Sequence, residues 1–120
     1  MITQNDILTA HALIKKYIHQ TPVLTSQTLN KIFQANLFFK CENLQKAGAF
    51  KIRGATNAVF SLSSHEREKG VATHSSGNHA AALTLAAKWR NITAEVVMPK
   101  TSPKVKVSAV RHYGANITFC

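Results

Sequence analysis

Carboxylates are scarce in this sequence: Asp6, Glu42, Glu66, Glu68 and Glu95 stand against 15 lysines and arginines, for a formal net charge of +10. An excess of that size brings nucleic acid and other polyanions into consideration. The distribution speaks against them. Only Lys15 and Lys16 are adjacent, the single Trp89 and the phenylalanines do not interleave with the basic residues, and no zinc-knuckle spacing occurs. The charge reads as a solvated surface, or as the unbalanced part of a longer chain, with no nucleic-acid partner. Cysteine is nearly absent as well. Cys41 and Cys120 form no C-x-x-C pair and lie far apart, which excludes a disulfide scaffold and suits a reduced, cytoplasmic protein. The N-terminus, MITQNDILTAHALIKKYI, has no uninterrupted apolar core, so neither a signal peptide nor a membrane span is expected. The triplets Asn91-Ile92-Thr93 and Asn116-Ile117-Thr118 then read as accidental glycosylation matches. The five glycines, at 48, 54, 70, 77 and 114, never cluster, and no repeat or long linker is visible.

What is present suffices for one modest core: 120 residues, 45% of them hydrophobic. Thr3 with Asp6 has the form of a helix N-cap, and Ile7, Ala10, Ile14 and Ile18 follow on one helical face until Thr21-Pro22 closes the helix. A second helix is expected over residues 26–32, then a buried strand in the apolar, aromatic run 36–41. Ala55, Ala58, Val59 and Leu62 recur at helical spacing, which sets Lys51 at or just before a helix N-terminus. From Gly70 onward strand and helix alternate: strands at 71–74, 94–98 and 115–120, helices at 80–89 and from Ser102-Pro103 to about Tyr113. Alternation of this kind means β-α-β units and a parallel sheet with flanking helices, an α/β fold. The polar, aperiodic stretch 61–66 is the best place for a boundary between two packed units.

Two short stretches carry chemistry. Ser75-Ser76-Gly77-Asn78-His79 lies where a parallel strand leads into a helix, and there the unpaired N–H groups and the helix dipole favour an anion such as a carboxylate or phosphate. Gly77 would allow a ligand close to the backbone. The plainer reading is that Ser76 or Asn78 only caps the helix. The other stretch is KAGAFKIRG, with Lys51 between Gly48 and Gly54. Phe50 and Ile52 give that lysine an apolar, tightly turned setting, and a helix N-terminus disfavours an ammonium, which suits an amine that attacks a carbonyl. A solvated surface lysine fits the same residues.

Taken together, ENLQKAGAFKIRGA, VATHSSGNHAAAL and VVMPKTSPKVKVSAVRHYGA resemble the pyridoxal-phosphate enzymes of fold type II, specifically the serine/threonine dehydratase and serine racemase group. TPVLTS at 21–26 and LFFKCE at 37–42 extend the resemblance. It implies a fragment of the tryptophan synthase beta-like architecture, with 1–64 the N-terminal part of the large domain and 65–120 part of the small β-α-β domain. It implies that Lys51 holds pyridoxal 5'-phosphate as an imine, that Phe50 packs beside the cofactor, and that Asn78 hydrogen-bonds its ring hydroxyl. Ser75, Ser76, Gly77, Asn78 and His79 would bind the substrate carboxylate. The implied reaction turns L-serine or L-threonine into a 2-oxo acid and ammonia, with Lys51 as the base at the α-carbon and with no metal site in these residues.

Ser76 stands where serine racemases carry the acid/base opposite the lysine, so racemisation stays open. The polar residues of the ATP-activated racemases are partly lacking, since Gln27, Ala47 and Ala81 occupy their places, and this favours an ordinary dehydratase. The resemblance further implies a longer protein, a homodimer, that supplies the glycine-rich phosphate loop not found here. By itself the chain would then be inactive, or a non-catalytic fragment that binds a partner.

Overall fold

The computed structural model describes residues 1–120. Its organising element is the parallel sheet of β3 (Val71–His74), β4 (Ala94–Met98) and β5 (Asn116–Phe119), joined in sequence order by α5 (Asn78–Trp89) and α6 (Lys104–Tyr113). Val71 pairs with Ala94 and His74 with Val97; Glu95 pairs with Asn116 and Met98 with Phe119. Along β4, Ala94, Val96 and Met98 are buried while Glu95 and Val97 are exposed, the period of two expected of a strand covered on one face.

α5 is apolar almost all round, and Ala80, Ala81, Ala82, Leu83, Thr84, Ala86 and Ala87 are all buried. Its small side chains let three neighbours approach closely. Ala82, Leu83, Ala86 and Ala87 share one cluster with Ile52, Ala55 and Val59 of α3 (Lys51–Phe60); Ala80 and Ala81 share another with Val96, Met98 and Val110. Thr84 avoids an unmet hydroxyl by donating to Ala80 O at 2.8 Å. Ile52 is fully buried, a contribution of about 1.5–3 kcal/mol. Through α3 and α5, residues 1–64 and 65–120 therefore share a core.

The first fifty residues are looser. α1 (Gln4–Ile14) has the expected capping box, in which Thr3 and Asp6 satisfy each other's backbone N–H groups. Its helix stops well before Pro22, and of its expected apolar face only Ile14 is buried within it. α2 (Gln27–Phe33) is capped by Ser26, close to expectation.

The buried strand expected over 36–41 is not found. Only β2 (Phe39–Lys40) forms, antiparallel to β1 (Val23–Leu24), and Phe38 beside it is 71% exposed. Aromatic content marks a strand that can be covered, and within this chain no layer lies over it. Further on, Ala58 points outward, whereas Ile52, Ala55, Thr56 and Val59 make the buried face of α3.

The stretch read as aperiodic runs into a short helix, α4 (Ser64–Lys69), opened by a Ser63–Glu66 capping box. It buries no residue, so no apolar period announces it. Pro103 occupies the N-cap of α6 instead of its first turn, and the Ser102 hydroxyl is buried without a partner instead of capping.

Candidate cofactor and substrate site

Lys51 is the first residue of α3, as the spacing predicts. The chain reaches it through two 3₁₀ turns, Glu42–Leu44 and Lys46–Gly48, the second made tight by Ala47 at φ 58° and Gly48 at φ 69°. A left-handed alanine costs about 1–2 kcal/mol and persists only where its surroundings over-determine it. Here they do. Gln45, 4% exposed, accepts from His19 N (2.8 Å) and Lys46 N (2.9 Å) and donates to His19 O (2.8 Å).

On the other side Arg53 grips Glu42 with Nε to Oε2 at 2.8 Å and Nη2 to Oε1 at 2.7 Å. Glu42 also accepts from the Thr21 hydroxyl at 2.6 Å, while Lys40 Nζ donates to Thr21 O at 2.7 Å. The Arg53 hydrogen bonds, helped by the Thr21 hydroxyl and the charges of Arg53 and Lys40, outweigh burial and pull the Glu42 carboxyl down to about 2. A concavity of about 520 Å³ on this clamp is lined by Lys15, Lys16, Lys40 and Arg53, and neither Lys51 nor residues 75–79 reach it.

The tight turn around Lys51 is thus found, but not the apolar enclosure. Lys51 is exposed, Phe50 is 59% exposed, and Ile52 turns away into the core. Lys51 Nζ lies 5.2 Å from the Phe50 ring centroid and has no hydrogen-bond or ion-pair partner. A primary amine so placed is free to condense with a carbonyl.

The second stretch leaves the carboxyl end of β3. Ser75 N donates to Val97 O at 3.1 Å, and its Oγ accepts from Gly77 N (3.3 Å) and Ala80 N (3.4 Å). Capping therefore falls to Ser75, and the side chains of Ser76 and Asn78 are released from it. The N–H groups of Ser76, Asn78 and His79 have no protein acceptor, so three donors at the positive end of α5 stand ready for an anion. A Cβ at Gly77 would meet nothing within 4 Å, which leaves that space to a ligand. Ser76 and Asn78 are exposed and His79 is half-buried. Asn78 Oδ1 accepts from Lys106 Nζ of α6.

Packing of α3 and of the 46–48 turn against α5 joins the two stretches, and Ala47 touches both core clusters. A free amine, unpaired donors and an open backbone together fit a cofactor bearing an aldehyde and an amino acid bearing a carboxylate. The bracing residues Gln45, Glu42, Arg53 and Lys106 carry no signal of that role in the sequence. The first three lie inside the motif ENLQKAGAFKIRGA, but their partners are 11 to 26 residues distant.

A family model described as "Pyridoxal-phosphate dependent enzyme" matches residues 14–120. The chain is 61% identical over 117 residues to a serine racemase of Arabidopsis thaliana, covering 95% of this chain and 35% of that protein. It is 57% identical over 118 residues to the beta-hydroxyaspartate dehydratase of Paracoccus denitrificans, covering 98% and 38%. The crystal structure of serine racemase from Dictyostelium discoideum superposes with a TM-score of 0.94 at 55% identity, over 99% of this chain and 39% of that one. The chain thus spans between 35% and 39% of the length of these relatives. By these matches the chain belongs to the fold type II family of pyridoxal-phosphate-dependent enzymes, among its racemases and dehydratases.

Proposed function

We propose that this chain supplies the lysine and the carboxylate-binding loop of an enzyme that eliminates water from small β-hydroxy amino acids. L-serine and L-threonine would give a 2-oxo acid and ammonia. The observation that carries this reading is the pairing of an unpartnered Lys51 amine with the free N–H groups of Ser76, Asn78 and His79 on two helices that share a core. Pyridoxal phosphate, when bound, supplies an electron sink for the charge left at the substrate α-carbon.

The protein's own residues do the rest. Lys51 Nζ would hold the cofactor through its aldehyde carbon, and its amine, when free, would accept the substrate α-proton. The N–H groups at the start of α5 hold the carboxylate, which fixes the bond to be broken relative to Lys51. Asn78 Nδ2 would donate to the ring oxygen and Phe50 would lie beside the ring. The five glycines of this chain never cluster, so these residues form no glycine-rich phosphate loop.

Racemisation is the second reading. The Ser76 hydroxyl is exposed and has no protein partner, which leaves it available as the second acid/base that racemisation needs besides Lys51.

The protein that carries these residues, loaded with pyridoxal phosphate, should form oxo acid and ammonia from L-serine or L-threonine, and Lys51→Ala should abolish both the turnover and the visible absorption of the bound cofactor. A Lys51→Ala protein that keeps the absorption and the turnover refutes the reading. D-serine as the main product from L-serine replaces it with the racemase.

A further inference from the structure

We infer that Lys106 sets the rotation of the Asn78 carboxamide, so that Asn78 offers its Nδ2 donors and not its carbonyl to the cofactor ring. The inference rests on the proposed function, in which Asn78 meets the ring oxygen. Asn78 is the first residue of α5, Lys106 lies in the first turn of α6, and the two helices pack against each other. Lys106 Nζ donates to Asn78 Oδ1. An ammonium has donors and no acceptor, so only the carbonyl end of the amide can face it.

That constraint matters because the two ends of an asparagine amide have nearly the same shape. An exposed Asn78 with no fixed neighbour could present either end. A ring oxygen that carries negative charge accepts a hydrogen bond and repels a carbonyl, so the wrong rotation would turn an attraction into a repulsion. No carboxylate competes for Lys106, since the one salt bridge in the chain is Arg53–Glu42 and α6 contains no acidic residue. Lys106 is half-buried, which holds its stem against the fold while its ammonium reaches the α5 N-terminus. It is a positioning residue, acting through Asn78.

The test compares Lys106→Met, Lys106→Arg, Asn78→Ala and the Asn78→Ala/Lys106→Met double variant in the cofactor-loaded protein. Two readouts are taken, the Kd for pyridoxal phosphate and the pH midpoint of its visible absorption band. Lys106→Met should loosen the cofactor on the order of tenfold, the worth of one hydrogen bond to a charged group, and shift the midpoint. Lys106→Arg, which keeps the donors, should restore most of both. The double variant should bind no more weakly than Asn78→Ala alone, because the lysine has then nothing left to orient.

If Lys106→Met matches the parent while Asn78→Ala binds weakly, Lys106 has no such role and the function proposed for Asn78 survives. Losses that add in the double variant also overturn the inference. If Asn78→Ala changes neither readout, the reading of Asn78 fails and the inference with it. Should the Met variant not fold by circular dichroism, Lys106→Ala is read in its place against the same outcomes.

Discussion

Arg53 Nε and Nη2 meet the two oxygens of Glu42 at 2.8 and 2.7 Å, tying the lysine helix α3 to the turn that precedes it. This fork holds the Glu42 carboxyl at about 2, against 4.5 for the free group. A carboxylate whose folded pKa is depressed contributes stability above its unfolded pKa, and that contribution is lost as pH falls through the folded value. Glu42→Gln should therefore destabilise the protein by about 1–2 kcal/mol near neutral pH, the linkage of the shift reduced by the solvent that reaches both partners of the fork. The gap should shrink between pH 4.5 and about 2 as the parent's own carboxyl is protonated. Urea denaturation of both proteins across that range checks it, and a gap that stays constant would show that the fork carries no such linkage.

Gln45 is the second brace of the lysine loop. Its buried amide satisfies both backbone groups of His19 and caps the turn at Lys46. Gln45→Leu keeps the bulk and strands these groups at a cost of about 2–4 kcal/mol. Because the turn below Lys51 loses its anchor, cofactor affinity should fall as well. A denaturation midpoint equal to the parent's would remove Gln45 from this role.

Two glycines at positive φ should respond differently to alanine. Gly70 has φ 81°, and a Cβ there would stand 2.8 Å from Thr93 O. That carbonyl cannot retreat, since it accepts from Val71 N at 2.9 Å where β3 begins. Gly114 has φ 98° and open space around the missing Cβ. Gly114→Ala should cost about 1 kcal/mol, the left-handed penalty alone, and Gly70→Ala about 3 kcal/mol or more, with the clash added. Equal costs in thermal unfolding would mean that the β3 start yields to the methyl.

How far these features can be read from the sequence depends on how local their causes are. The units from 71 to 119 obey short-range rules, a period of two in β4 and a left-handed glycine at Gly114, as does the capping at Thr3, and they are legible. So is the placing of Lys51, set by the apolar spacing of α3. The exposed strand at Phe39 departs from expectation because aromatic content reports what can be buried, not what covers it. α4 is hard to see because a capping box without a buried face leaves only the Ser63–Glu66 spacing as a sign. The braces are illegible for another reason: Gln45 meets His19 across 26 positions and Lys106 meets Asn78 across 28, pairings that only the folded chain creates.

Ser75 and Ser76 are neighbours with separate roles, and this separation makes the stereochemical question testable. Ser75 Oγ is occupied as the α5 cap, accepting from Gly77 N and Ala80 N, whereas the Ser76 hydroxyl is exposed and unpartnered. Ser75→Ala should cost about 1 kcal/mol of stability, the usual worth of a cap, and Ser76→Ala almost none. On the racemase reading, Ser76→Ala in the cofactor-loaded protein should nevertheless remove D-serine formation from L-serine, because Ser76 is then the proposed proton donor. Elimination, for which Lys51 is the proposed base, should continue. The measurements are thermal midpoints for both variants, chiral chromatography of serine, and oxo-acid release. D-serine made at the parent's rate by Ser76→Ala would remove Ser76 from the proton path; a parent that makes oxo acid and no D-serine leaves dehydration as the sole activity.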